Sequence, residues 1–280
     1  MKNKMSLRNF AKSLAVLCIG ISAISNQAIA DDKLKKVIAG EHRTAKFVER
    51  DQYRHPYETL QFFGLKDNMT VVELSPGGGW YAEILAPYLK DNGTYIAAGF
   101  DPESSSDYYS KNAKKFNKKM ADSPEQYGKA QISIFEAPKK IKVAEPNSAD
   151  MVVSFRNAHH WHRKGDADAI YAEIFKALKP GGIFGIVQHR AGWDFPKDQK
   201  GNLGYLPQKE VIAKIKAAGF RLLESSEINA NPKDKKDHPN GVWTLPPSYS
   251  KLESDADKAK YKAIGESDRM TLKFVKPAKM

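Results

Sequence analysis

Residues 67–280 predict an α/β fold: a doubly wound, mostly parallel sheet of seven strands with helices on both faces. Three observations carry that prediction. Short β-branched and apolar runs alternate with segments whose apolar residues recur at helical spacing, the pattern of βαβ crossovers. The first run, Val71-Val72-Glu73-Leu74, breaks directly into Ser75-Pro76-Gly77-Gly78-Gly79, where backbone must turn sharply and leave room beside itself. A second turn, Lys179-Pro180-Gly181-Gly182, separates a helix from the strand that follows.

Two segments precede this domain. Lys2, Lys4, Arg8 and Lys12 form a basic start, Leu14 to Ile24 an apolar run and Ala28-Ile29-Ala30 a small-x-small site. Residues 1–30 therefore read as a cleavable signal peptide cut after Ala30, and the mature protein as exported and periplasmic. The apolar run is shorter than the ~20 residues a membrane span needs, so no stable membrane insertion is expected after cleavage. Cys18 is the only cysteine, and the mature chain has no disulfide, thiolate metal site or cysteine nucleophile. Cleavage removes four cations and no acid, lowering the formal charge from +12 to +8. The remaining lysines are scattered without interleaved aromatics, so nucleic acid is not an expected partner.

Residues 31–66 read as an N-terminal arm with helices. Its polar cluster Glu49-Arg50-Asp51-Gln52-Tyr53-Arg54-His55 precedes Pro56, placed to start the helix Tyr57 to Phe63 that Gly64 stops. The cluster is either a salt-bridged surface entry loop or a lid over a site.

In the main domain, strand one is Thr70 to Ser75, and the next helix carries Tyr81, Ile84, Leu85 and Tyr88 on one side until Pro87 and the Asp91-Asn92-Gly93 turn end it. Strand two, Thr94 to Phe100, closes on Asp101-Pro102; serines 104 to 106 cap a helix with Tyr109, Ala113, Phe116 and Met120 on one face. Strand three, Ile132 to Phe135, ends at Glu136. Strand four, Met151 to Phe155, runs into Arg156-Asn157-Ala158-His159-His160-Trp161-His162. Helix Asp166 to Leu178 precedes strand five, Ile183 to Val187; helix Gln208 to Ala218 and strand Phe220 to Ile228 follow. Residues from Asn229 to Lys262 read as a surface excursion able to narrow a substrate mouth, and Arg269 to Val275 is the last strand.

From Val71 to Pro277 this order resembles the class I S-adenosylmethionine-dependent methyltransferases: a glycine turn after strand one, acids after strands two and three, a polar tip after strand four, and Lys-Pro-Gly-Gly before strand five. More closely, several stretches resemble a family of exported bacterial proteins described as predicted methyltransferases. They are Arg50-Asp51 with Arg54-His55-Pro56, Glu73 to Tyr81, Leu85-Ala86-Pro87, Asn231-Pro232 with Asp234, Asp268-Arg269 and Phe274-Val275-Lys276-Pro277. The resemblance implies a Rossmann-like sheet with an antiparallel last strand, S-adenosyl-L-methionine as cofactor, and methyl transfer to a small-molecule acceptor.

Site residues follow from that resemblance. The class pattern acid-x-Gly-x-Gly-x-Gly appears here as Glu73-x-Ser75-x-Gly77-x-Gly79, which implies that Glu73, Ser75, Pro76, Gly77, Gly78 and Gly79 form the cofactor loop. Ser75 replaces one glycine, and Pro76 removes an N–H donor. Asp101 matches the acid that accepts the ribose hydroxyls, the alternative being a turn-forming Asp before Pro102. Glu136 matches the residue near the adenine amino group, the alternative being an exposed loop carboxylate. Asn157, in the polar tip, joins the cofactor set.

His159, His160 and His162 are expected in an extended segment at the tip of strand four, with His189 after strand five. Their spacing sets no metal geometry, so no metal is expected. His160 or His189 is the candidate general base, because imidazole titrates near neutral pH. Arg50, Tyr53, Arg54, His159 and His162 are candidate substrate or lid residues; a structural role is the alternative for at least two of the four histidines. The alternative function is a non-catalytic small-molecule-binding protein that kept the fold.

Overall fold

Near-continuous apolar strands bury both faces only between two helical layers, and that is the arrangement in the computed structural model, which describes residues 32–194 and 201–278. The signal segment lies outside the described residues. No helix among the described residues is long and apolar enough to cross a membrane.

The arm forms α1 (residues 32–38), α2 (Ala45–Val48), α3 (Asp51–Arg54) and α4 (Pro56–Phe63). The sheet domain runs β1 (Thr70–Leu74), α5 (Ala82–Leu89), β2 (Thr94–Gly99), α6 (Asp107–Ala121), α7 (Pro124–Tyr127), β3 (Gln131–Ile134) and β4 (Ala149–Phe155). It continues through α8 (Ala158–Lys164), α9 (Ala167–Ala177), β5 (Leu178–His189), α10 (Gln208–Ala217), β6 (Arg221–Ser226), a 3-10 turn Gly241–Thr244, α11 (Asp255–Ile264) and β7 (Arg269–Val275).

The seven strands lie in the order β3-β2-β1-β4-β5-β7-β6. Strands β1 to β5 are parallel, and β7 runs antiparallel between β5 and β6. The chain order reverses beside β1, so β1 and β4 open a crevice at their carboxyl ends, where open α/β sheets bind ligands. Because β7 is antiparallel, its first residues reach that same edge, with Arg269 opposite His189.

Alternation along the strands fills two cores. Val72, Leu74 and Val152 pack with Ile170, Ile174, Val211 and Ile215 of α9 and α10 on one face. Val71, Met151 and Val153 pack on the other with Ile84, Leu85 and Tyr88 of α5 and with Leu34, Leu60 and Phe63 of the arm. The α4 contact is close: a Cβ on Gly185 of β5 would stand 2.7 Å from the Phe63 ring.

Two local expectations are corrected. β5 is longer than residues 183–187, because Gly181 N–H donates to Lys276 O and Leu178 pairs with Ala149, which draws the Lys-Pro-Gly-Gly turn into the sheet. The histidine tip is not extended: residues 158–164 form α8, stopped by Gly165 in the left-handed region at φ 83°.

Candidate functional site

Two cavities of about 390 and 360 Å³ open at the carboxyl edge of the sheet and share Ser75, Gly77, Asn157 and His160. Each lies within the ~300–1,000 Å³ range of small-molecule sites. The first is walled by the glycine loop, the arm, Arg156 and the 243–248 segment. The second is walled by Phe100, Tyr109, Phe135, Glu136 and Trp161.

The loop between them is built from positive φ angles: Ser75 at 52°, Gly77 at 60° and Gly79 at 86°. The glycines serve different ends. A Cβ on Gly79 would press Phe116 at 3.2 Å, so Gly79 allows helix packing, whereas a Cβ on Gly77 would meet nothing within 4 Å and stand in the cavity. Ser75 takes the left-handed conformation with its N–H donating to Ala98 O at 2.7 Å. Asn157 pins the turn from β4, its Nδ2 donating to Leu74 O at 3.0 Å and Ser75 O at 3.3 Å.

Glu73 is 3 % exposed at the floor of the first cavity and accepts the Tyr95 hydroxyl at 2.6 Å. Burial pushes its carboxyl up to about 7, against the hydrogen bond from Tyr95 and the field of Arg156. Glu136 reaches the second cavity while its carboxylate accepts from Ser104 Oγ at 2.7 Å and Asp101 N at 3.2 Å, so it is not a free loop acid.

Asp101 lines neither cavity. Its carboxylate accepts from Glu103 N at 2.9 Å, an Asx turn, and pairs with Lys140.

The histidines separate by role. His159 and His189 line the first cavity and are buried, and His160 stands where the two cavities meet. His162 lines neither; its Nε2 lies 3.0 Å from the Tyr171 hydroxyl and its Nδ1 3.4 Å from Glu210, so packing against α9 and α10 explains it. Burial holds His159 and His189 well below the ordinary imidazole range, reinforced for His159 by His160 and for His189 by His159 and the arginines. His160 is lowered to about 4 by burial and by Arg163 and Lys164. Its Nδ1 lies 3.1 Å from Arg163, which can only donate, so neutral His160 carries its proton on Nε2. No group of three or more His, Cys, Asp or Glu among the described residues could hold a metal ion.

The arm cluster is neither a surface loop nor a free lid. Arg54 is 1 % exposed, and Arg50, Arg54 and Arg269 converge on Glu266. Tyr53 lies outside both linings, packed beneath Gly265 with its carbonyl accepting from Arg269 at 3.2 Å. Arg156, Glu266 and Arg269 are not among the expected site residues, although Arg156 opens the polar tip and Arg269 falls in a stretch that carries the resemblance; Glu266 meets Arg50 across 216 positions, a separation with no local signal.

Residues 72–186 match the family model of the methyltransferase domain. The sheet order and this match over β1 to β5 give the domain the fold of the class I S-adenosylmethionine-dependent methyltransferases. A sterol 24-C-methyltransferase of Aspergillus fumigatus is 24 % identical over 197 residues, covering 64 % of this chain and 47 % of that protein; the chain thus matches less than half of that relative. The phosphoethanolamine N-methyltransferase 2 of Haemonchus contortus, solved with S-adenosyl-L-methionine, superposes with a TM-score of 0.54 at 18 % identity, over 80 % of this chain and 53 % of that one. The [4+2]-cyclase SpnF superposes with a TM-score of 0.56 at 15 % identity, over 91 % and 96 %. Identities this low speak to the fold, and function rests on the site.

Proposed function

We propose that this protein, after export to the periplasm, transfers the methyl group of S-adenosyl-L-methionine to a small-molecule acceptor. One observation carries the reading: Gly77, at φ 60°, opens onto the junction of two cavities with no protein atom within 4 Å of where a side chain would start. Phe100, Phe135 and Glu136 would hold the adenosine end in the second cavity, and Glu73, Ser75, Gly77 and Gly78 the amino-acid end. When bound, that cofactor supplies a methyl group on a sulfonium, and the C–S bonding pair stays with sulfur on transfer.

The first cavity is then the acceptor's. Phe47, Trp80 and Pro246 narrow it against water, and the junction orients the acceptor toward the loop. His189 is better placed than His160 to take the acceptor's proton. Its Nδ1 is engaged with Ser267 Oγ, and with the Nδ1 proton directed there the Nε2 lone pair is available; His160 presents Nε2–H and donates.

Calorimetry on residues 31–280 is expected to give micromolar binding of S-adenosyl-L-methionine and its demethylated product, S-adenosylhomocysteine. Absence of heat with both would overturn the reading in favour of a binding protein for another small molecule. Export predicts an N-terminal sequence beginning at Asp31 in a periplasmic extract.

A further inference from the structure

We infer that the first cavity selects an acceptor bearing an anionic group, a carboxylate or a phosphate, and that Arg54 and Arg156 bind it. The inference rests on the methyltransferase reading and names the substrate class of that same site.

Charge at this wall does not balance. Arg50, Arg54 and Arg156 line the cavity and Arg269 lies behind them, yet the acid set among them is Glu266 alone. Glu266 is already engaged by Arg50 Nε, by Arg54 Nε at 3.3 Å and by Arg269 Nη2 at 2.6 Å. Even with Glu73 ionised, four guanidinium groups face two carboxylates, leaving a surplus of two positive charges.

Arg54 carries the geometry. Its side chain is 2 % exposed, and its Nη1 and Nη2 are buried with no hydrogen-bond partner. Planar N–H donors shut away from water call for an acceptor, and a guanidinium edge matches carboxylate and phosphate oxygens. Trp80 holds the group in place, the guanidinium carbon lying 4.7 Å from the ring centroid. Arg156 reaches the same cavity from a left-handed backbone at φ 65°, its N–H donating to Val187 O at 2.7 Å. Such a conformation is disfavoured for a side chain of this size and persists where tertiary structure enforces it. A further polar atom in the same wall, His159 Nε2, is also buried without a partner.

The same donors could take the carboxylate of the cofactor's own amino-acid end, and titrations separate the two sources. Inorganic phosphate and succinate are titrated into residues 31–280 saturated with S-adenosylhomocysteine, and into the Arg156→Gln variant. Millimolar or tighter binding of either anion, weakened tenfold or more in Arg156→Gln while the affinity for S-adenosylhomocysteine changes less than about twofold, supports the inference. Absence of anion binding to the saturated protein overturns it. So does a variant that loses tenfold in affinity for S-adenosylhomocysteine but none for 5′-methylthioadenosine, which lacks the amino-acid end. Arg54→Met repeats the measurement where its melting curve shows a folded protein. If wild-type protein binds neither nucleoside, the methyltransferase reading fails, and anion titration into the free protein still decides the subsite: binding lost in Arg156→Gln supports it, no binding overturns it.

Discussion

Replacing Glu73 with Gln should flatten the response of stability to pH that this one carboxyl imposes. Glu73 is 3 % exposed on β1, and burial raises its pKa from an ordinary 4.5 to about 7. A folded-state value above the unfolded one means that the native protein holds the proton longer. The contribution to stability is therefore complete below 4.5, declines as the unfolded chain ionises, and is lost once pH passes about 7. At ~1.4 kcal/mol per pH unit the gap amounts to about 3 kcal/mol, a large share of the 5–15 kcal/mol typical of a folded domain. Gln keeps the shape and an oxygen that can accept the Tyr95 hydroxyl, now at 2.6 Å, so the perturbation is confined to charge. The assay is urea denaturation of both proteins from pH 4.5 to 8, read as the difference between them. The difference matters because His160, lowered to about 4, has the opposite slope: it costs stability as pH falls below its ordinary 6.5. The variant should gain about 3 kcal/mol on wild type between the two ends of the range. A difference constant to within about 0.5 kcal/mol would show that Glu73 ionises over the same pH range in the native protein as in the unfolded chain, refuting the burial argument.

Three further outcomes follow from the site and the fold. Gly77→Val should abolish binding of S-adenosylhomocysteine in calorimetry while costing only ~1–2 kcal/mol of stability, because its side chain enters open cavity and the penalty is the positive φ. Asn157→Ala should cost ~1–3 kcal/mol in denaturant melts and weaken the same ligand, because Leu74 O and Ser75 O lose the donor that pins the turn. Gly185→Ala should destabilise by ~1–3 kcal/mol, since its Cβ would stand 2.7 Å from the Phe63 ring, and combining it with Phe63→Ala should cost less than the two single changes together.

Local chemistry explains what could be read ahead of the structure. Strands β1, β2 and β7 fall within a residue of their expected bounds because alternation and turn residues act over a few positions. The turn from Ser75 to Gly79 was legible for the same reason, since its positive φ angles demand glycine or a short polar side chain. The histidine tip was misread because helix α8 is only seven residues long, too short for its period to register, and its strongest signal, Gly165, lies past its end. Asp101 met the pattern for a ribose contact, yet in the structure Glu103 N and Lys140 already hold its carboxylate.

By itself, then, the sequence determined the α/β layering, the strand count and the glycine loop, all consequences of short-range periodicity and backbone permissiveness. Only the tertiary structure decided the chemistry around that loop. Antiparallel β7 delivers Glu266, Ser267 and Arg269 to the edge where β1, β4 and β5 end, and the arm brings Arg50 and Arg54 against them across more than two hundred residues. Burial then sets their character, leaving Arg54 with unpaired donors and Glu73 close to neutral. Those properties depend on what surrounds a side chain once the chain has closed on itself, and no window of sequence contains that.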